Sequence, residues 1–416
     1  MLTGGRAEAM VAVPDLAEYA LLQVFIFLAL AELIAPIAAR ARLPPVVAWI
    51  VLGIALSNFA FGGLLNRGLG VDVFGANTYL LLFSDLSVVL LLFAAGLESG
   101  VRGLRDAGWT AVLGAVAGDL LPFGVVVAVA THYLPLGTSL LLGVAAAPTS
   151  AAVVATLRQS EKVGDTAAGN LLLTMAALDD VVALVLLTAV LTIVGGRVDV
   201  LSVTGTVAES VVAWLVLLLA AVVVIPRLLK LPALREARGM PFLFLFVLVA
   251  IVVSLGFSAV IGAFIAGLAV AESLVATRTR ELTEVLLLFF GALFFVVIGV
   301  EFDVHDLLVP TLVAAGLGMA GLAAAAKYAG VYGFARRKLG SSVGGRAVAL
   351  GMIPRGEIGL VVGAIGLTSG LFGQAELGAI VLMALTTTIA GSLAFRRAAV
   401  PLRGPPGPEP APTPAA

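Results

Sequence analysis

Two stretches decide the fold: AAAPTSAAVV at residues 145–154 and GMIPRGEIGLVV at residues 351–362. Each sets a proline inside an apolar run. Proline lacks an N–H and its ring clashes with the carbonyl one turn back, so a helix is interrupted at Pro148 and again at Pro354. An interruption frees backbone groups that lipid cannot satisfy, so it belongs beside a polar site. The first break carries Thr149 and Ser150, whose hydroxyl oxygens suit a hard cation such as Na+. The second carries Arg355, Gly356 and Glu357. Arg355 and Glu357 read as ties that hold the break open rather than as ion contacts.

The rest of the chain is written in the same manner. Of its 416 residues 61% are apolar and only 12% charged, against roughly 25% charged in soluble domains. It is built for lipid. The absence of Cys removes disulfides, thiolate metal centres and Cys nucleophiles. With His132 and His305 as the only histidines, a His-rich metal centre or a Ser/His triad is not expected, nor any enzyme activity. The net charge of -1 gives no sign of nucleic-acid binding. The first ten residues lack the basic-then-apolar pattern of a cleavable leader.

A membrane helix needs about 20 mostly apolar residues. Thirteen segments fit: 19–39, 44–60, 79–97, 109–130, 136–157, 167–194, 201–225, 240–255, 257–271, 282–300, 307–335, 343–367 and 372–395. The eighth and ninth are short and meet near Gly256. Charge separates them, because Lys and Arg collect in cytoplasmic loops. With thirteen spans, 19 of the 24 Lys and Arg fall on one side and only Arg6, Arg67 and Arg197 on the other, while Lys327 and Arg355 lie within segments. Fusing the two short segments would move Arg278 and Arg280 to the wrong side. The N-terminus is therefore expected outside and the C-terminus in the cytoplasm, with a Pro/Ala-rich disordered tail at 403–416.

The second half echoes the first. VLGIAL around Gly53 resembles IAGLAV around Gly267, and LLFAAGLESG around Gly96 resembles FFVVIGVEFD around Gly299. Pro148 matches Pro354. Each pair lies seven segments apart, an odd number, so the halves are inverted relative to each other. Six spans, a linker span and six inverted spans make a transporter architecture, with broken helices at matching places marking the transport site.

Ionisable residues inside a membrane are costly and mark function. AALDDVVALV at 176–185 puts Asp179 and Asp180 mid-span, about 100° apart around the helix, so that one can face a cation cavity and the other a neighbouring helix. Lys327 lies about nine residues from Arg336, too deep to snorkel easily, and calls for a carboxylate partner. Asp119 is mid-span and reads as a lining of the approach route. Glu32 is deep in the first segment without an assignable role. Glu98, Glu301 and Asp303 sit near segment ends and read as solvated.

As an ordered set, LPPVVAWIVLG, LLFAAGLESG, the PTS of the fifth segment, LDD, IGAFIAGL, FFVVIGVEFD, Lys327 and PRGEIGL resemble the sodium/proton exchanger family. The likeness is to its bacterial monovalent cation:proton antiporters, the branch that also holds Kef-type potassium efflux systems. The resemblance implies an all-α NhaA-like antiporter fold with two crossed discontinuous helices. Its core transport domain would comprise 107–194 and 305–397, and its scaffold and dimer domain 17–100 and 240–303, joined by a linker helix at 201–230. It implies that Asp180 binds the cation or the proton, with Thr149 and Ser150 completing the site, and that Asp179 pairs with Lys327. It implies electrogenic Na+/H+ exchange by a homodimer in the cell's inner membrane, with no cofactor beyond the transported ions. Potassium-type relatives often carry another residue before the binding aspartate and a cytoplasmic nucleotide-binding domain. K+/H+ antiport, a sodium-coupled organic-anion symporter of similar fold and an uncoupled channel are the rival readings.

Overall fold

The structure, a computed structural model, describes residues 16–41, 43–69, 74–75, 77–100, 108–164, 166–195, 203–255 and 258–402. Arg6, Arg42, Arg102, Arg105, Arg197, Arg403, the Gly256 junction and the expected tail lie outside them. Within them the chain is helical. In order come α1 (Leu16–Arg40), α2 (Pro45–Leu56), α3 (Phe61–Leu69), α4 (Thr78–Ser99), α5 (Trp109–Ala130), α6 (Leu136–Ala146), α7 (Ala151–Ser160), α8 (Ala167–Val194) and α9 (Val203–Leu228). There follow α10 (Pro232–Glu236), α11 (Met240–Ser254), α12 (Ala259–Ala271), α13 (Ala276–Glu301), a 3-10 turn (Val304–Leu308), α14 (Pro310–Leu339), α15 (Ser342–Gly351), α16 (Glu357–Thr368) and α17 (Gln374–Ala399).

Among the described residues eight helices are long and apolar enough to cross a membrane, and the bent pair α2–α3 makes a ninth. Within the span read at 44–60 the helix ends at Leu56, and a second helix, Phe61–Leu69, follows at an angle of 41°. The shorter apolar helices are residues 212–228 of α9, α11, α12 and α16. Polar side chains set several starts. Asn77 accepts from Leu80 N to open α4, Thr166 from Gly169 N to open α8, and Ser341 from Gly344 N to open α15.

Small residues let these helices approach closely, as is usual where lipid offers no hydrophobic drive for association. Gly53 of α2 faces Gly299 of α13; a Cβ on Gly53 would lie 2.0 Å from the Val296 carbonyl oxygen. Gly96 of α4 faces Gly267 of α12; a Cβ on Gly96 would lie 2.2 Å from the Phe264 oxygen. A second group of helices is organised around the packing of α5 on α14, with α6, α8, α15, α16 and α17 beside them. This second group holds the breaks.

Candidate functional site

The helix interruptions fall where the prolines require. α6 stops at Ala146 and α7 resumes at Ala151; α15 stops at Gly351 and α16 resumes at Glu357. The breaks touch. Ser150 N donates to the Pro354 carbonyl (2.9 Å), and Thr149 Oγ1 donates to the Met352 carbonyl (2.8 Å). Only glycine fits at 356, because a Cβ there would stand 2.5 Å from the Ser150 side chain.

Each break presents helix ends, and opposite charges sit on them. Glu357 Oε2 accepts from Ser150 Oγ (2.7 Å), and its Oε1 accepts from Ala151 N (3.0 Å) at the start of α7. Arg355 donates to the carbonyls of Pro148 (3.3 Å), Met352 (3.3 Å) and Ala323 (3.1 Å). Lys327 donates to the carbonyl of Ala147 (2.9 Å). An anion at a helix N-terminus and cations at orphaned C-terminal carbonyls complement the backbone dipoles. Arg355 and Glu357 thus bond across the breaks.

Lys327 is fully buried between two carboxylates. Its Nζ stands 2.5 Å from Asp179 Oδ1 and 2.7 Å from Asp119 Oδ1. Asp179 Oδ2 also accepts from Thr149 N (2.6 Å), tying the ammonium to the first break. The structure therefore brings Asp179 and Lys327 together. It moves Asp119 from the approach route to the ion pair. Formally the three groups carry one negative charge.

Asp180 differs from its neighbour. It is 1% exposed and its Oδ1 has no hydrogen-bond partner among the described residues. It lines a cavity of about 420 Å3 whose wall includes Ala151, Thr174, Arg158, Glu98 and Arg280. Glu98 lies on α4 and Arg280 on α13, so helices outside the α5–α14 group close the cavity opposite Asp180. Glu98, read from sequence as a solvated end residue, thus shares a cavity with Asp180. No hydrogen bond joins Thr149 or Ser150 to Asp180; Met352 and Glu357 take their hydroxyl protons. Glu32 faces outward on α1.

A buried carboxylate with an uncommitted oxygen, on a water-sized route, can take a proton or a small cation. The family model described as "Sodium/hydrogen exchanger, transmembrane" matches residues 25–399. The "High-affinity Na(+)/H(+) antiporter NhaS3" of Synechocystis sp. is 30% identical over 400 residues, covering 84% of this chain and 83% of its own. The "Na(+)/H(+)-K(+) antiporter GerN" of Bacillus cereus is 26% identical over 88% of this chain and 93% of its own. The solved structure of the sodium proton antiporter MjNhaP1 from Methanocaldococcus jannaschii superposes with a TM-score of 0.67 at 16% identity, covering 94% of this chain and all of that one, a likeness of fold. With residues 25–399 matched and the sodium/hydrogen exchanger relatives aligned over most of their length, the chain belongs to the sodium/hydrogen exchanger family.

Proposed function

We propose that this protein is a monovalent cation:proton antiporter, exchanging Na+ for protons at Asp180 by alternating access. The observation that carries the reading is Asp180 itself: buried, its Oδ1 without a hydrogen-bond partner among the described residues, and lining a cavity beside the Lys327 ion pair. One carboxylate shared by two ligands enforces exchange, because an empty charged site is costly to carry across an apolar barrier. Thr149 and Ser150 can turn lone pairs toward a cation on Asp180. Glu357, Arg355, Pro148 and Pro354 keep the breaks in register. Lys327, held by Asp179 and Asp119, supplies an additional proton per cycle, which makes exchange electrogenic. No resident cofactor is needed.

Thirteen spans follow if the eight long helices, the bent pair and the four shorter apolar helices all cross. The shortest, α16, is buried in protein along most of its length and so need not match the hydrocarbon thickness alone. Inverted repeats account for the glycine contacts. The sequence pairs Gly53 with Gly267 and Gly96 with Gly299. A twofold operation exchanging these partners converts the Gly53–Gly299 contact into the Gly267–Gly96 contact, and both occur. On this reading 107–194 and 305–397 form a core carrying crossed broken helices, 17–100 and 240–303 form the dimer scaffold, and 201–230 links them. The cavity then opens to the cytoplasm, on the side of Arg158 and Arg280, in an inner-membrane homodimer.

The test is proton flux in proteoliposomes challenged with NaCl, LiCl and KCl in turn. Sodium-driven alkalinisation or acidification that reverses with the gradient supports the proposal. A response to K+ alone favours K+/H+ antiport, and no response to any cation refutes antiport. Topology is tested separately: because the chain has no Cys, Arg278→Cys should react with an impermeant thiol reagent only from the cytoplasmic side. Labelling from outside intact cells refutes thirteen spans.

A further inference from the structure

A second cavity, of about 620 Å3, lies between α5, α6, α14 and α17, apart from the Asp180 cavity. Its volume falls in the ~300–1,000 Å3 range of small-molecule sites. Val126 and Leu142 form its walls, and Met319 and Leu322 lie deeper along α14. Such a lining offers water few partners and suits hydrocarbon. Polar groups gather at one end, where Tyr133 follows α5, Thr311 begins α14 and Glu376 begins α17. Large apolar side chains flank the opening: Val129, on its wall, is 44% exposed and Leu317, beside Gly318, is 46% exposed. In a membrane-spanning chain these surfaces face lipid.

The end chemistry discriminates among headgroups. Glu376 Oε2 accepts from Gly373 N (2.8 Å), and no Lys or Arg pairs with Glu376 among the described residues. No Lys or Arg lines this cavity either. A carboxylate without a neighbouring cation attracts an ammonium and disfavours a purely anionic headgroup. The hydroxyls of Tyr133 and Thr311 can donate to a phosphate oxygen.

We infer that this cavity binds one phospholipid with an ethanolamine headgroup, its acyl chain between α5 and α14 and its ammonium on Glu376. The site bears on the core. Leu322 precedes Ala323, whose carbonyl accepts from Arg355 at the second break. A chain seated against Leu322 braces the helix that carries that carbonyl and, further along, Lys327.

Gly318 provides a clean test. It lines the cavity, and a Cβ there would meet nothing within 4 Å. Gly318→Leu therefore fills the cavity without a backbone clash. The full-length protein, stripped of lipid in detergent, is mixed with palmitoyl-oleoyl phosphatidylethanolamine or phosphatidylglycerol, and retained lipid is counted by native mass spectrometry. The wild type is expected to retain one ethanolamine lipid in preference to the glycerol lipid. Gly318→Leu should lose that molecule. Glu376→Gln, which preserves an acceptor for Gly373 N, should hold both lipids alike. Equal retention of both by the wild type, or ethanolamine-lipid retention undiminished in Gly318→Leu, overturns the proposal. So does retention of dodecylammonium without retention of the ethanolamine lipid, which would mark a site for soluble amphipathic amines. None of these readouts depends on ion transport, so a failure here is distinct from failure of antiport.

Discussion

After Pro148 the backbone amide of Thr149 is held by a carboxylate, Asp179 Oδ2 (2.6 Å), whereas after Pro354 the amide of Arg355 is held by a hydroxyl, Thr387 Oγ1 (3.2 Å). Asp179 and Thr387 lie on α8 and α17, the helices following each broken pair. Their neighbours differ in the same sense. Asp180 has an oxygen without a partner, while Thr388 Oγ1 donates to the Arg355 carbonyl (2.7 Å). The halves use one arrangement of proline, freed amide and capping side chain. In the second half a neutral, saturated pair of threonines completes it, giving a structural joint. In the first half two aspartates complete it, and the excess charge and free oxygen can be used for ions. On the proposed function, ions are handled at the first break and the second serves as a joint.

The largest expected effect separates the two neighbours. Asp180→Asn should abolish cation-driven proton movement in liposomes. Because Oδ1 has no hydrogen-bond partner among the described residues, the variant should keep the wild-type melting temperature and oligomeric state. Thr388→Val should leave exchange at a readily measured rate. Robust exchange by the Asn variant, or its loss in the Val variant, would erase the functional asymmetry drawn between the breaks.

Much of that asymmetry was legible in the sequence, and the limits are instructive. Pro148, Pro354 and the adjacent aspartates announce themselves, because each is a costly residue within an apolar run. The demand of Lys327 for a carboxylate was equally readable. That Asp119 would be a second partner was not, because it depends on the register of α5 against α14, which brings together residues 208 apart. A Gly118 beside Asp119 and a Gly330 on α14 were the available hints: a Cβ on Gly330 would lie 2.5 Å from the Ala117 oxygen. The cap of Thr387 on Arg355 was hidden because threonine is ordinary in a membrane helix. Glu98 is exposed as expected, but that the end of its helix borders the cavity that reaches Asp180 was not legible.

Removing the ammonium should rank next. Lys327→Gln leaves Asp119 and Asp179 facing each other in a buried site, and losing one member of a buried ion pair typically costs ~3–5 kcal/mol. Exchange should weaken and become electroneutral as the extra proton is lost. Current on a solid-supported membrane, normalised to Na+ moved, measures this. A working variant that carries the wild-type charge per cation would mean that Lys327 only neutralises its partners. Adding Asp119→Asn to Lys327→Gln should recover part of the lost stability, since it removes one of the stranded carboxylates.

Glu357→Gln comes third. The carboxylate accepts from the Ser150 hydroxyl and from the first amide of α7, both across the breaks. Hydrogen bonds to charged groups contribute about 1.5–3 kcal/mol each, and a glutamine keeps one acceptor oxygen, so the loss should fall near the lower end of that range. Thermal unfolding in detergent should report it, with Na+ dependence of exchange shifted because Ser150 is freed. An unchanged melting temperature would show that charge at the start of α7 does not hold the joint.

Thr387→Val is the smallest and the most discriminating. The valine matches threonine in shape, and its helix loses little, because the hydroxyl's own donation is to the Met383 carbonyl (2.7 Å) one turn back. What disappears is the acceptor for Arg355 N. That amide is buried, and an orphaned buried donor costs ~1–3 kcal/mol, reduced if the break relaxes to find another partner. Stability should therefore fall by about 1 kcal/mol. Exchange should persist, since the proposed ion site at Asp180 lies at the first break. Thr387→Asn, which offers an acceptor oxygen one bond farther out, should recover part of the melting temperature. Thr387→Asp should recover less, because it adds a buried carboxylate, and Arg355, the cation at this break, is already engaged with three carbonyls. If the Asp variant proved as stable as the Asn variant, the second break would already possess the electrostatics of the first. The contrast would then lie only in which residues happen to occupy the two caps.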